Sequence, residues 1–321
     1  MRLGAGVIIT DMKNKIICLA IGVILSLVIA ELLLRIAGLG YSLVNKIPQK
    51  HENSDYRILC VGESTTFGIG TVNPLLYSYP RQLEQKLNAK FTDLRIQCFY
   101  DSNIGVNTTK NLLELPSAIR NYQPNLVIFM VGTNNWWNLD KSSSLFFNKN
   151  NLFHKIFIKL QALLYRFRIY KLFKWLVYSR GLYKLEENIE WPDLNGTDAE
   201  NSEIRHKISE DLWFSIEEKC GMNIFNEIAY YDLQEMIMIC KKNKIDIIIC
   251  SYPVGQSDLY RVQKKLSLLF NCYFVDNTLI FRNLNNPKDY LSNDAIHPNE
   301  KGYRIVAENI YNCILDHKLI K

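Results

Sequence analysis

The chain has 321 residues, 48% of them hydrophobic and 22% charged, with a formal net charge of +6. That balance excludes a disordered or collagen-like polymer. The modest positive excess suits an anionic membrane surface or an acidic polymer but is too small to argue for nucleic acid, and the sequence carries no nucleic-acid motif and no internal repeat.

In chain order, the first element is the run IICLAIGVILSLVIAELLL over residues 16–34, in which Glu31 is the single charge. A helix of that length crosses a hydrocarbon core of about 30 Å. A cleaved signal peptide would use Val28 and Ala30 as the small residues before the cut. The apolar run continues to Leu34, which favours an uncleaved anchor over 16–38 behind a cytoplasmic N-terminus at 1–15. Arg2, Lys13 and Lys15 precede the span while Arg35, Lys46 and Lys50 follow it, so the flanking charges barely decide orientation.

A polar linker (39–55) leads into a domain expected over 56–315. Strand-like runs are predicted at Tyr56–Val61, Leu94–Tyr100, Asn125–Val131, Ile245–Ser251 and Cys272–Val275. Helices are predicted at Tyr79–Ala89, at Thr108–Tyr122 with a kink or break at Pro116, and at Asn299–Leu315. The NLVIFMV run has no polar face, as expected for a strand covered on both sides. Alternating strands and helices predict a parallel sheet with right-handed crossovers and a site at the carboxyl ends of the strands.

An insertion or cap over 136–222 separates the third and fourth strands and is too long for an ordinary loop. Its first part, Phe153–Lys184, holds Lys, Arg and aromatics but no acid; its later part, Glu186–Glu218, is acidic and polar. The first part fits either a basic interfacial helix on the same membrane or a helical cap with solvated charges. The eight cysteines form no CxxC pair, and Cys60, Cys98, Cys250 and Cys272 fall in apolar strand-like runs, as buried thiols do. Asn107-Thr108-Thr109 and Asn195-Gly196-Thr197 match glycosylation acceptors, a pattern that arises often by chance.

Four short segments carry the chemistry. The first strand ends in Gly62-Glu63-Ser64-Thr65-Thr66, which sets a serine hydroxyl and its N–H at the sheet edge; alone this fits a helix cap as well. The second ends in Asp101-Ser102-Asn103-Ile104-Gly105, where a glycine permits close backbone approach and an N–H donor, or merely a turn. The third ends in Gly132-Thr133-Asn134-Asn135, where a side-chain amide can donate to an oxyanion or close an Asx turn. Near the C-terminus, Asp294-Ala295-Ile296-His297-Pro298-Asn299 precedes Lys301-Gly302-Tyr303. An Asp three residues before a His can orient its imidazole, which can then deprotonate a serine hydroxyl.

Together these segments resemble the four blocks of the SGNH (GDSL-like) hydrolase family, which supply Ser, Gly, Asn and His in that chain order. The resemblance covers about residues 56–315 apart from the insertion. It implies a flavodoxin-like three-layer α/β/α sandwich with a parallel five-stranded sheet. It implies a catalytic triad of Ser64, His297 and Asp294, an oxyanion hole of Ser64, Gly105 and Asn134, and no metal or diffusible cofactor. Two positions depart from the family pattern. Glu63 stands where Asp is usual, and Asn135 stands where a second Asp is usual, which is expected to weaken hydrogen bonding around the nucleophile loop.

Ester hydrolysis is the implied activity. The leading expectation is removal of O-acyl, chiefly acetyl, groups from an extracytoplasmic saccharide by a single-pass membrane protein. A lysophospholipase or short-chain lipid esterase, an O-acyltransferase, and a glycan-binding protein with a decayed site remain as alternatives.

Overall fold

The computed structural model describes residues 3–44, residues 54–142 apart from 103, 137 and 140, short pieces between 160 and 176, and residues 224–320 apart from 256. Most of the insertion, together with Cys220 and Asn195, lies outside the described residues.

A helix α1, Leu3–Val44, comes first and is longer at both ends than the predicted anchor. Within it, the stretch Asn14–Gly40 is apolar enough to cross a membrane, with a mean hydropathy of 2.8, and none of it is buried. The domain that follows runs β1 (Tyr56–Gly62), α2 (Ser64–Phe67), α3 (Pro74–Tyr77), α4 (Tyr79–Lys90), β2 (Ile96–Ser102), α5 (Thr108–Tyr122) and β3 (Leu126–Met130). It continues through α6 (Ile224–Lys242), β4 (Asp246–Cys250), α7 (Ser257–Leu269), β5 (Tyr273–Val275), α8 (Asn277–Arg282), a 3-10 turn at Pro287–Tyr290, and α9 (Glu300–Asp316).

The five strands pair in parallel in the order β2-β1-β3-β4-β5, the flavodoxin-like order. Strands are added on opposite sides of β1, β2 to one side and β3 to β5 to the other, which makes the carboxyl edge between β1 and β3 the topological switch point where such sheets bind ligands. The strands alternate between two cores. Ile58, Cys60, Cys98, Tyr100, Ile128, Met130 and Ile248 face α4 and α9. Leu59, Val61, Phe99, Val127, Phe129, Ile247 and Ile249 face α5, α6 and α7. Both faces are covered, so period-two alternation of apolar against polar is absent, and the strands read as solid apolar runs.

Three local differences from the sequence expectations have simple causes. Pro116 leaves α5 in one piece, because side-chain packing of Leu112, Leu115, Ala118 and Ile119 against the sheet outweighs one lost backbone bond. Helix α6 begins just past the expected insertion over 136–222 and was not among the predicted helices. It buries Tyr230, Leu233, Met236, Ile237 and Cys240, but its polar residues are too interspersed to mark one clean stripe. Asn107 is wholly buried: its Oδ1 caps α5 by accepting from the Lys110 N–H, and its Nδ2 donates to the Asn138 carbonyl, so the acceptor motif there is a helix cap. Cys60, Cys98 and Cys250 are buried thiols, while Cys272 is only partly covered.

Candidate active site

The carboxyl ends of β1, β2 and β3 and the loop before α9 converge. Ser64 is the first residue of α2, two residues past the end of β1, and 8% exposed. Its Oγ lies 2.8 Å from His297 Nε2. His297 Nδ1 lies 2.6 Å from Asp294 Oδ2. As the first residue of a helix, Ser64 has an N–H with no acceptor inside that helix.

The Asp-x-x-His spacing works because the loop is built around one carboxylate. Asp294 Oδ1 accepts from the Ser292 hydroxyl at 2.6 Å, the Ile296 N–H at 3.0 Å and the His297 N–H at 2.9 Å, leaving Oδ2 for the ring. Partial burial disfavours the ionised carboxyl, but the His297 ring and these donors outweigh it and hold its pKa well below the usual carboxylate range. The loop closes by a bridge between Leu291 and Pro298, with the Ser292 N–H donating to the His297 carbonyl at 2.8 Å.

Asn299 then caps α9 by accepting from the Lys301 and Gly302 N–H groups, while its amide donates to the Asp289 and Leu291 carbonyls. A Cβ on Gly302 would fall 2.1 Å from the Tyr290 carbonyl oxygen, so only glycine lets α9 approach this turn. The Tyr303 hydroxyl donates to the Ile69 carbonyl at 2.7 Å, tying α9 to the segment after the serine helix. The Pro-Asn…Gly-Tyr follow-on in the sequence is thus the scaffold of the histidine loop.

Gly105 adopts φ +71°, a left-handed conformation suited to glycine, and its carbonyl accepts from Asn138 Nδ2 at 2.6 Å. Asn134 is 8% exposed, and its Nδ2 donates one hydrogen to the Val106 carbonyl at 3.0 Å, joining the β3 edge to the Gly105 loop.

The two departures from the family pattern are satisfied by local chemistry. Asn135 Oδ1 accepts from the Thr108 N–H at 3.0 Å, and its Nδ2 donates to Thr108 Oγ1 at 2.8 Å and the Phe225 carbonyl at 3.2 Å. Thr108 and Thr109 in turn donate to Asp232 Oδ2 at 2.5 and 2.8 Å. The expected loosening at Asn135 is therefore absent, because α6 brings an acid to the cluster from another direction. Burial pushes the Asp232 carboxyl up to about 6 against the pull of the two threonines.

Glu63 is fully enclosed, and its carboxyl group shares a 2.5 Å hydrogen bond with the Tyr252 hydroxyl and accepts from the Gly132 N–H at 2.8 Å, lacing the ends of β1, β3 and β4 together. Burial pushes it up to about 7, with Tyr252, Gly132 and Thr133 pulling the other way. Sequence reading missed Tyr252 and Asp232. The available signals were a Tyr directly after a strand edge and an acid inside the otherwise apolar run around Tyr230 to Leu233.

A Ser–His–Asp chain at the switch point of a doubly wound sheet is an arrangement suited to nucleophilic acyl transfer. No family model matches the chain, and no curated relative matches it. Solved structures resemble it at low identity. A lipase/acylhydrolase from Enterococcus faecalis is 13% identical with a TM-score of 0.48, over 82% of this chain and 96% of that one. The acetylxylan esterase Axe2 from Geobacillus stearothermophilus is 16% identical with a TM-score of 0.48, over 82% and 95%. The psychrotrophic esterase EstA from Pseudoalteromonas sp. is 13% identical with a TM-score of 0.47, over 82% and 99%.

Proposed function

We propose that this chain is a serine ester hydrolase held at a membrane by α1, with Ser64 as nucleophile, His297 as general base and Asp294 as its orienting acid. The observation that carries the reading is the unbroken chain from Ser64 Oγ through His297 to Asp294, at 2.8 and 2.6 Å. In the first half-reaction His297 Nε2 takes the serine proton as Oγ attacks the ester carbonyl carbon. The tetrahedral oxyanion accepts from the Ser64 and Gly105 N–H groups and from Asn134, each donor worth about 3 kcal/mol in the transition state. The C–O bond to the alcohol then breaks, and the imidazolium returns its proton to the leaving oxygen. Water, deprotonated by the same imidazole, attacks the acyl-serine and releases the acid.

For substrate we favour O-acyl, chiefly acetyl, esters on an extracytoplasmic saccharide, reached from an anchored position. Lipid esters are the second reading, favoured by the exposed Leu160, Leu163, Phe167 and Phe173 on the cap pieces beside α1.

The test is turnover of p-nitrophenyl acetate, longer p-nitrophenyl esters, acetylated xylan and lysophospholipid by wild type and Ser64→Ala, with fluorophosphonate labelling alongside. Serine-dependent turnover is expected, greatest on acetylated sugar. Equal turnover by Ser64→Ala would overturn the mechanism. Labelling without hydrolysis would indicate transfer to another alcohol, and absence of both would indicate a binding protein.

A further inference from the structure

Asp232 is a buried acid on α6, and two chains of hydrogen bonds end on its one oxygen Oδ2. The first chain starts at Asn135, the neighbour of Asn134. Asn135 Nδ2 donates to Thr108 Oγ1 at 2.8 Å, and the Thr108 hydroxyl donates to Asp232 at 2.5 Å. The second chain starts at Gly105. Its carbonyl accepts from Asn138 Nδ2 at 2.6 Å, and the Asn138 carbonyl accepts from Asn107 Nδ2 at 2.9 Å. Asn107 Nδ2 also donates to Ser142 Oγ at 3.2 Å. Ser142 Oγ lies 3.2 Å from Thr109 Oγ1, and the Thr109 hydroxyl donates to Asp232 at 2.8 Å. Asn138 joins the two chains, because its N–H donates to the Asn134 carbonyl at 2.9 Å.

The acid fixes the direction of the bonds around Thr108 and Asn135. An ionised carboxylate only accepts, so each threonine gives its single hydroxyl proton to Asp232. The Thr108 oxygen is then left to accept. That turns the Asn135 amide nitrogen toward it and the Asn135 carbonyl oxygen toward the Thr108 N–H, at 3.0 Å. A neutral side chain at 232 would avoid the cost of a buried charge. Among the described residues no cation bears on Asp232, and burial raises its carboxyl to about 6. The two chains converge from the loops that carry Asn134 and Gly105, the oxyanion donors of the proposed mechanism. Bonds in such a network reinforce one another, and a shift of about 1 Å in a positioned group costs about 10²-fold in rate.

We propose that Asp232 is a positioning residue for the oxyanion hole: through Thr108 and Thr109 it holds in register the two loops that present Asn134 and Gly105 to the ester carbonyl. The inference rests on the esterase reading and adds to it a residue that acts only through other residues.

The test moves the acid from one end of the first chain to the other. In Asn135→Asp two carboxylates compete for the one Thr108 proton, and a carboxylate oxygen faces the Phe225 carbonyl that Asn135 Nδ2 served at 3.2 Å. Adding Asp232→Asn resolves the first conflict: Thr108 donates to the new acid, and the amide at 232 donates to Thr108 Oγ1. Full-length proteins are assayed on p-nitrophenyl acetate at pH 8, with circular dichroism melts and the rate of fluorophosphonate labelling alongside. Asn135→Asp is expected to lower kcat by about 10²-fold with KM within about twofold of wild type, the scale of one misplaced oxyanion donor. The double variant is expected to recover at least about tenfold of that loss, in kcat and in labelling rate. Asp232→Asn alone keeps an oxygen for both threonines and is expected to stay within about threefold of wild type, whereas Asp232→Leu, which removes the acceptor, falls as Asn135→Asp does. Should the leucine variant not fold, the pair Asn135→Asp and Asn135→Asp, Asp232→Asn decides alone.

Unchanged kcat in folded Asn135→Asp, a loss confined to KM or to melting temperature, or no recovery in the double variant overturns the positioning role and leaves the esterase reading intact. Absence of both serine-dependent turnover and labelling in wild type overturns the esterase reading, and the positioning role with it. Labelling without hydrolysis keeps the test, which is then read from the labelling rates.

Discussion

Glu63 and Tyr252 share a hydrogen-bond problem that decides a protonation state. The single Tyr252 hydroxyl proton faces both Glu63 Oε2 at 2.5 Å and the Met130 carbonyl at 3.0 Å. A protonated Glu63 resolves the conflict, donating to Tyr252 Oη so that Tyr252 can donate to Met130. The carboxyl is raised from 4.5 to about 7 by burial. Between those values the folded state holds more protons than the unfolded state, so stability falls as pH rises through the window and stays reduced above it. The shift corresponds to about 3 kcal/mol. Glu63→Gln keeps the donor pattern of the protonated acid and removes the titration. Denaturant melts at about pH 5 and about pH 8 should show wild type losing about 3 kcal/mol more than the variant. Asp232, raised with the same sign, is common to both proteins and cancels in the difference. Parallel pH dependence in the two would mean that Glu63 is not held neutral.

At Asp294 the opposite chemistry holds, since its donors stabilise the charge. Asp294→Asn keeps an oxygen for the Ser292 hydroxyl and the Ile296 and His297 N–H groups, but turns an amide N–H toward His297 Nδ1. The loop should fold while the imidazole loses both its tautomer preference and its countercharge. Turnover should fall by about 10³ to 10⁴, with KM nearly unchanged. Kinetics on p-nitrophenyl acetate read this directly, and a drop of less than about tenfold would demote Asp294 from the mechanism.

At the scale of elements, the histidine is placed by contact between α9 and the turn at Pro287–Tyr290, and that contact has no slack. Gly302→Ala would put a methyl 2.1 Å from the Tyr290 carbonyl oxygen and 2.8 Å from Pro298 Cβ. The obstacle is backbone, which cannot swing aside, so the turn must move and carry His297 with it. A stability loss of about 1–3 kcal/mol is expected from such overpacking, with a larger proportional loss in kcat than in substrate affinity. Unchanged kcat alongside lost stability would show that the loop holds its geometry without this contact.

The same elements show what sequence could and could not reveal. All five strands were legible because a doubly covered sheet writes itself as short solid apolar runs. The serine, glycine, asparagine and histidine segments were legible because each sits at the end of such a run or before a capped helix. Helix α6 was not, because its contacts to two helices and β4 leave no clean polar stripe. Asp232 was lost with it. The role of Asn135 was also out of reach, since its partners Thr108 and Phe225 are 27 and 90 residues away in sequence.

Across the whole molecule, the division of labour between anchor and domain follows from where the apolar surface goes. Neither of the two cores that sandwich the sheet contains a described residue of α1, and none of its candidate span is buried. The described links between α1 and the rest are the polar contacts of Glu31, Leu34 and Arg35 with the cap. Exposed ion pairs and single hydrogen bonds of this kind contribute about 1 kcal/mol or less each. A fragment starting at Ser54 should therefore fold cooperatively, with a denaturant midpoint close to that of the domain in the full chain. It should turn over soluble p-nitrophenyl acetate at a similar rate, because Ser64, Asp294 and His297 are positioned by β1, α2, the Pro287–Tyr290 turn, the Asp294 loop and α9, none of which belongs to the anchor. It should act far less well on an ester embedded in vesicles, having lost tethering. Circular dichroism melts and parallel assays on soluble and vesicle-borne esters separate the cases. A fragment that fails to fold would make α1 part of the domain's structure, and equal action on both esters would make the anchor irrelevant to substrate delivery.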